Sequence, residues 1–135
     1  MKNLKNILGL LTIASLMLLF ISCEKDTDPK EIKYSVKGLT SEYKVTYFEN
    51  GENKSEVVTG GENFMHSFKS EKGEILYFDI KYKDDVQKMS NFSTMIAVGG
   101  TILRESYAYD FKWADSASQN IPYPYEIILS ATVPY

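Results

Sequence analysis

Tyr43-Lys44-Val45-Thr46-Tyr47-Phe48-Glu49-Asn50-Gly51-Glu52-Asn53-Lys54-Ser55-Glu56-Val57-Val58-Thr59 is the stretch whose reading decides the fold. Its first half alternates, with Tyr43, Val45 and Tyr47 on one side and Lys44 and Thr46 on the other. That period of two belongs to a strand with one face buried. Asn50-Gly51 follows at once, and this dipeptide is the strongest short hairpin signal because both central residues of the tight turn take positive φ. The outgoing strand is read as Glu42 to Phe48 and the returning one as Lys54 to Thr59, where Gly60-Gly61 ends it in a looser connection, so that Gly60→Ala should be milder than Gly100→Val.

The same pattern extends in both directions. Upstream, Ile32, Tyr34 and Val36 alternate with Lys33, Ser35 and Lys37. Downstream, Asn63 to Lys69 puts Phe64, His66 and Phe68 on one face, and Glu74 to Tyr82 aligns Leu76, Phe78, Ile80 and Tyr82. A polar connection from Lys83 to Asn91 leads to Phe92–Val98, which pairs through Gly99-Gly100 with Thr101–Tyr109 in a second hairpin. Asp110 to Pro124 reads as a long loop, since Pro122 and Pro124 are excluded from central strands. Tyr125 to Val133 reads as the closing strand, with Ile127, Leu129 and Ala131 opposing Ile128 and Thr132. Beyond residue 23 no stretch carries the 3.6-residue period of a helix. About eight short, evenly spaced strands predict an all-β fold, a small immunoglobulin-like or transthyretin-like β-sandwich with one core.

The N-terminus has a different character. Lys2 and Lys5 precede a 15-residue run, Ile7 to Ile21, diluted only by Gly9, Thr12 and Ser15 and closed by Ser22-Cys23. A charged start, a short apolar run and a small residue at the cut describe a secretory signal. The run is shorter than the roughly 20 residues a spanning helix needs. Leu19-Phe20-Ile21-Ser22-Cys23 resembles the lipobox of bacterial lipoproteins, which implies that Cys23 is the lipidation site and the new N-terminus after cleavage. The competing reading, an ordinary secretory signal, leaves the chain's single cysteine as an unpaired thiol in an exported protein. The resulting division is 1–22 signal peptide, 23–31 acidic tether and 32–135 β-sandwich domain. Glu24-Lys25-Asp26-Thr27-Asp28-Pro29-Lys30 resembles the acidic export tether of surface lipoproteins. The expected location is therefore the outer membrane, lipid-anchored at the cell surface, with its periplasmic face as the alternative. Two or more acyl chains suffice for such anchoring without a spanning segment.

Removal of residues 1–22 takes away two lysines and moves the formal charge from −3 to −5. An acidic domain without a basic stripe is no partner for nucleic acid, whose phosphates demand neutralisation. Ten tyrosines, seven phenylalanines and one tryptophan favour strands. No catalytic constellation is legible. His66 is the only histidine and reads as a half-buried imidazole in a sheet, and no Gly-x-Ser-x-Gly elbow occurs. With Cys23 acylated, zinc sites of His and Cys are excluded. Asp84-Asp85, with Asp79, is the best carboxylate cluster for calcium, but Lys81, Lys83 and Lys88 compete, so a solvated loop is preferred over a metal site. No cofactor is expected. The best candidate binding surface is the aromatic segment from 107 to 125, with Tyr107, Tyr109, Trp113 and Tyr123 offering apolar faces with polar handles suited to sugars and peptides; the competing reading folds Trp113 over the open end of the core.

Ile32 to Tyr109 also resembles the extracytoplasmic domain of the MmpS family, small accessory membrane proteins of bacterial lipid exporters. The shared features are a Tyr-Ser-Val-Lys-Gly strand (Tyr34 to Gly38), a Val-Thr-Tyr strand (Val45 to Tyr47) and an aromatic strand before a Lys-Gly turn (Phe68, Lys72, Gly73). A strand–Gly–strand hairpin (Ile96 to Leu103) then ends in Glu105-Ser106. The family's accessory members have a spanning helix where this chain has its lipobox. The resemblance implies a small β-sandwich without enzymatic activity. The function expected is a non-catalytic lipoprotein, a binding or transport-accessory module whose partners are the membrane, through Cys23, and an envelope transporter or glycan. The alternatives are a glycan-active enzyme, with Asp110 and Asp115 as its acids, a surface glycan-binding protein using the 107–125 segment, and a structural subunit joined by strand addition.

Overall fold

A computed structural model of the protein describes residues 28–84, 91–107, 111–113 and 123–135. Its strands are β1 (Lys30–Lys37), β2 (Tyr43–Glu49), β3 (Glu52–Val58), β4 (Phe64–Ser70) and β5 (Ile75–Tyr82). They continue with β6 (Ser93–Val98), β7 (Thr101–Tyr107), the two-residue β8 (Lys112–Trp113) and β9 (Tyr125–Thr132). Two antiparallel sheets form, in the orders β4-β1-β6-β7 and β3-β2-β5-β9-β8. The expected all-β sandwich is thus the fold. The strand β1 begins at Lys30, paired with Ser70, two residues inside the segment read as tether. The segment read wholly as loop, 110–124, contains β8, which pairs with β9 through Lys112–Glu126 and Trp113–Tyr125.

Both tight hairpins are present. Asn50 and Gly51 take φ of 53° and 83° between the Glu49–Glu52 pair, and Gly99 and Gly100 take 55° and 83° between Val98 and Thr101. Positive φ at both central positions is the turn whose twist matches that of the flanking strands. After the second turn β7 carries a bulge: Ile96 faces Arg104 while Ala97 faces Ile102, so Leu103 is left over. Gly60 is a different case. Its surroundings are tight, a Cβ there falling 2.5 Å from the Thr40 carbonyl oxygen, which corrects the reading of Gly60-Gly61 as a loose connection.

The core lies between the sheets. Ile32, Tyr34 and Val36 of β1 meet Val45 and Tyr47 of β2 and Leu76, Phe78 and Ile80 of β5 in one buried cluster. Tyr34 stacks on Phe78 with ring centroids 4.9 Å apart, and its hydroxyl crosses the layer to donate to the Phe48 carbonyl. Burial raises the Tyr34 phenol well above its ordinary pKa, so it stays a neutral donor. Tyr43 makes the matching contact at the other end, its hydroxyl donating to the Glu62 carbonyl at 2.9 Å, and burial pushes its pKa up to about 12. Each core side chain of this size contributes roughly 1.5–3 kcal/mol through removal from water. Asp84, expected in a solvated loop, is buried: its Oδ1 accepts from the Ser41 amide at 2.7 Å and its Oδ2 from the Thr40 amide and hydroxyl. It braces the connection between β1 and β2.

Candidate functional site

The outer face of the five-stranded sheet is laid out by register. Successive outward residues are Lys44, Thr46 and Phe48 on β2, and Ile75, Tyr77, Asp79 and Lys81 on β5. On one side of β2, Asn53, Ser55 and Val57 of β3 stand opposite Phe48, Thr46 and Lys44. On the far side of β5, Ser130, Ile128 and Glu126 of β9 stand opposite Tyr77, Asp79 and Lys81. Three cross-strand rows result. One is aromatic, with Asn53, Phe48, Tyr77 and Ser130; the next is Ser55, Thr46, Asp79 and Ile128; the third carries Lys44, Lys81 and Glu126.

A groove of about 500 Å³ runs over the aromatic end of this face, lined by Thr46, Phe48, Asn53, Ile75 and Tyr77. That volume is in the range of small-ligand sites. Ile75 is 67% exposed, and the Thr46 and Ser55 hydroxyls are linked at 2.8 Å beside the groove. Next along β5 from Tyr77, Asp79 is buried although it stands on the outward face. Its Oδ1 has no hydrogen-bond partner among the described residues, and Oδ2 lies 3.8 Å from the Lys81 ammonium. Burial pushes the Asp79 carboxyl up to about 6, with Lys81 pulling it back and Glu126 adding to the rise. Lys81 is itself engaged by Glu126 at 3.0 Å. Burial and then the Asp79 charge raise the Tyr77 phenol above its usual range.

A second polar cluster joins the two sheets at the Asn50-Gly51 end. Glu49 Oε2 accepts from Lys54 Nζ at 2.7 Å and lies 3.0 Å from His66 Nε2. His66 packs its ring against Tyr47, with centroids 4.7 Å apart, so the sole histidine is the half-buried sheet residue expected. Glu49 is held below the usual carboxylate range, chiefly by the Lys54 hydrogen bond and also by His66, against the opposing effect of burial. No nucleophile is part of this group, and it reads as an inter-sheet latch.

The residues singled out in the sequence are placed as follows. Cys23, Tyr109, Asp110 and Asp115 lie outside the described residues. Tyr107 ends β7, about half exposed. Trp113 pairs with Tyr125 across β8 and β9. Tyr123 donates its hydroxyl to Glu42 Oε1 at 2.7 Å, a bond that raises the phenol's pKa. Tyr125 packs into the sandwich against Tyr82 and Phe111. No group of three or more His, Cys, Asp or Glu side chains able to hold a metal ion occurs among the described residues. Sequence reading missed Phe48, Tyr77, Asn53 and Ile75. The signal was present as aromatics at outward strand positions, but it became a site only when β5 docked beside β2. Comparison with protein-family models, with curated proteins and with solved structures returns no match to this chain.

Proposed function

We propose that this chain is a non-catalytic binding module, tethered to the outer membrane through lipid on Cys23 and displayed at the cell surface. The observation that carries the binding reading is the groove between Phe48 and Tyr77 on the solvent side of a central strand pair. A sandwich needs only one apolar face per sheet. Phe48 and Tyr77 on the other face are only partly buried by the fold, and a ligand would cover the area they leave exposed. The lipobox and acidic tether support the location, and the MmpS-like features support a role as accessory to an envelope transporter as one form of the reading.

The test compares the full chain with a Phe48→Ala/Tyr77→Ala variant, both immobilised and offered envelope extract separated into saccharide, peptide and lipid fractions. Retention of a component by the parent and its loss from the variant is the expected result. Equal retention by both would remove this face as the binding surface.

A further inference from the structure

We propose that the groove holds a neutral glycan chain of the surrounding envelope, stacked on Phe48 and Tyr77 and hydrogen-bonded by Asn53, Thr46 and Asp79. This rests on the reading of the chain as an envelope-anchored binding module and names its ligand class.

The choice follows from what the face offers and withholds. Two aromatic residues on adjacent strands give flat apolar surfaces matching the C–H face of a pyranose ring. Asn53 supplies both a donor and an acceptor, and the Thr46–Ser55 hydroxyl pair supplies more of each. Asp79 is the decisive group. Its Oδ1 is enclosed and unpartnered among the described residues, and an unmet buried acceptor is costly until a donor arrives. A ligand that satisfies it must bring N–H or O–H. Lys81 is already engaged by Glu126, so a cationic donor would meet chiefly Lys44 in the neighbouring row, whereas an anion would meet Asp79 itself and Glu126 beyond it; a neutral hydroxyl meets neither penalty. Asp79 stands across from Thr46 at the margin of the groove rather than in its lining, so reaching Oδ1 takes a side-chain rotation.

Two other occupants fit less well. A peptide strand gains its affinity from a sheet's edge, but β2 and β5 are each paired on both sides. An acyl chain would cover the rings and leave Asn53 and Asp79 unmet. The position on the molecule agrees with an envelope glycan. Lys30 at the start of β1 pairs with Ser70, and a four-residue connection leads from Ser70 to Ile75 at the groove. Only seven positions separate Lys30 from Cys23, so the groove lies at the end of the domain where the proposed tether would join β1.

The experiment is calorimetric titration of the membrane-extracted full chain in a polyoxyethylene detergent, which avoids sugar headgroups. The probes are neutral gluco-, manno- and xylo-hexasaccharides, a galacturonic acid hexamer and a glucosamine hexamer. At least one neutral probe should bind, about tenfold more weakly in Phe48→Ala or Tyr77→Ala. Asp79→Leu should lose roughly fivefold, and each charged hexamer should bind at least about fivefold more weakly than the neutral one. Met65→Ala, on the other sheet and 57% exposed, should bind as the parent does, and matching circular dichroism midpoints would establish that the ring variants are folded. Failure of every neutral probe, or binding that survives loss of both rings, overturns the proposal. If an acyl chain or peptide then binds in a ring-dependent way, the glycan assignment alone falls. If no ligand depends on the rings, the binding-face reading falls with it.

Discussion

A methyl group on Gly60 would sit 2.5 Å from the Thr40 carbonyl oxygen and 2.9 Å from the Ser41 carbonyl carbon. Backbone on that side has no flexible side chain to move aside, so Gly60→Ala forces a main-chain shift worth roughly 1–3 kcal/mol. Gly100 is the opposite case: a Cβ there meets nothing within 4 Å, but φ is +83°, and the left-handed conformation costs a branched residue about 1–2 kcal/mol. Thermal unfolding should therefore show Gly60→Ala at least as destabilised as Gly100→Val; a Gly60→Ala midpoint equal to the parent's would mean that β3 does not leave past Thr40 as described. Asp79 supplies a second residue-scale prediction. Its folded pKa, about 6, lies above its ordinary 3.8, so the folded state holds the proton more tightly than the unfolded one and stability falls as pH rises between those values. Above that window the ionised carboxylate is a net cost. Asp79→Asn should raise stability at pH 7.5 by roughly 1–3 kcal/mol, an advantage that disappears below about pH 3.5. Chemical denaturation at the two pH values checks it, and a variant less stable at pH 7.5 would refute it.

Among the elements, the β2–β3 hairpin does more than connect strands. Its last β2 residue, Glu49, reaches Lys54 on the return strand and His66 on the opposite sheet. The depressed pKa of Glu49 means the unfolded chain takes up a proton first on acidification. The contribution is complete above its ordinary 4.5 and is lost as pH falls through the lower folded value. Glu49→Gln should lower the unfolding midpoint at neutral pH and flatten its fall below pH 4.5, whereas an unchanged acid limb would show the latch to be idle. This hairpin was also the most legible element, because Asn50-Gly51 and the Tyr43-Val45-Tyr47 alternation are local signals. The neighbours of β5 were not. Nothing in Glu74 to Tyr82 says that β2 lies on one side and β9 on the other, since both pairings join strands distant in sequence. The groove depends on that adjacency, so Phe48 and Tyr77 read only as two separate outward aromatics. Trp113 and its neighbours drew attention instead because they are contiguous in sequence. Asp84 was misjudged for a related reason: its amide partners, Thr40 and Ser41, lie more than forty residues away.

For the molecule as a whole, the proposed membrane location rests on one residue. Cys23→Ser removes the only thiol in the chain, and no other side chain can form the thioether anchor. Metabolic labelling with palmitate should lose the signal completely, with the protein retained as precursor or released from the membrane fraction; unchanged labelling and fractionation would refute the lipoprotein proposal. The proposed anchoring would confine the domains to a plane, where neighbours meet far more often than in bulk solution. Sheet edges are the hazard in that setting, because an open strand templates pairing with the next molecule. Here β3 ends its sheet with exposed Glu52, Lys54 and Glu56, β7 carries the bulge at Leu103 beside exposed Arg104 and Glu105, and β8 is two residues long. These three rims resist edge-to-edge growth, so on a densely populated membrane surface pairing between neighbouring domains would be narrowed to the one remaining edge strand, β4.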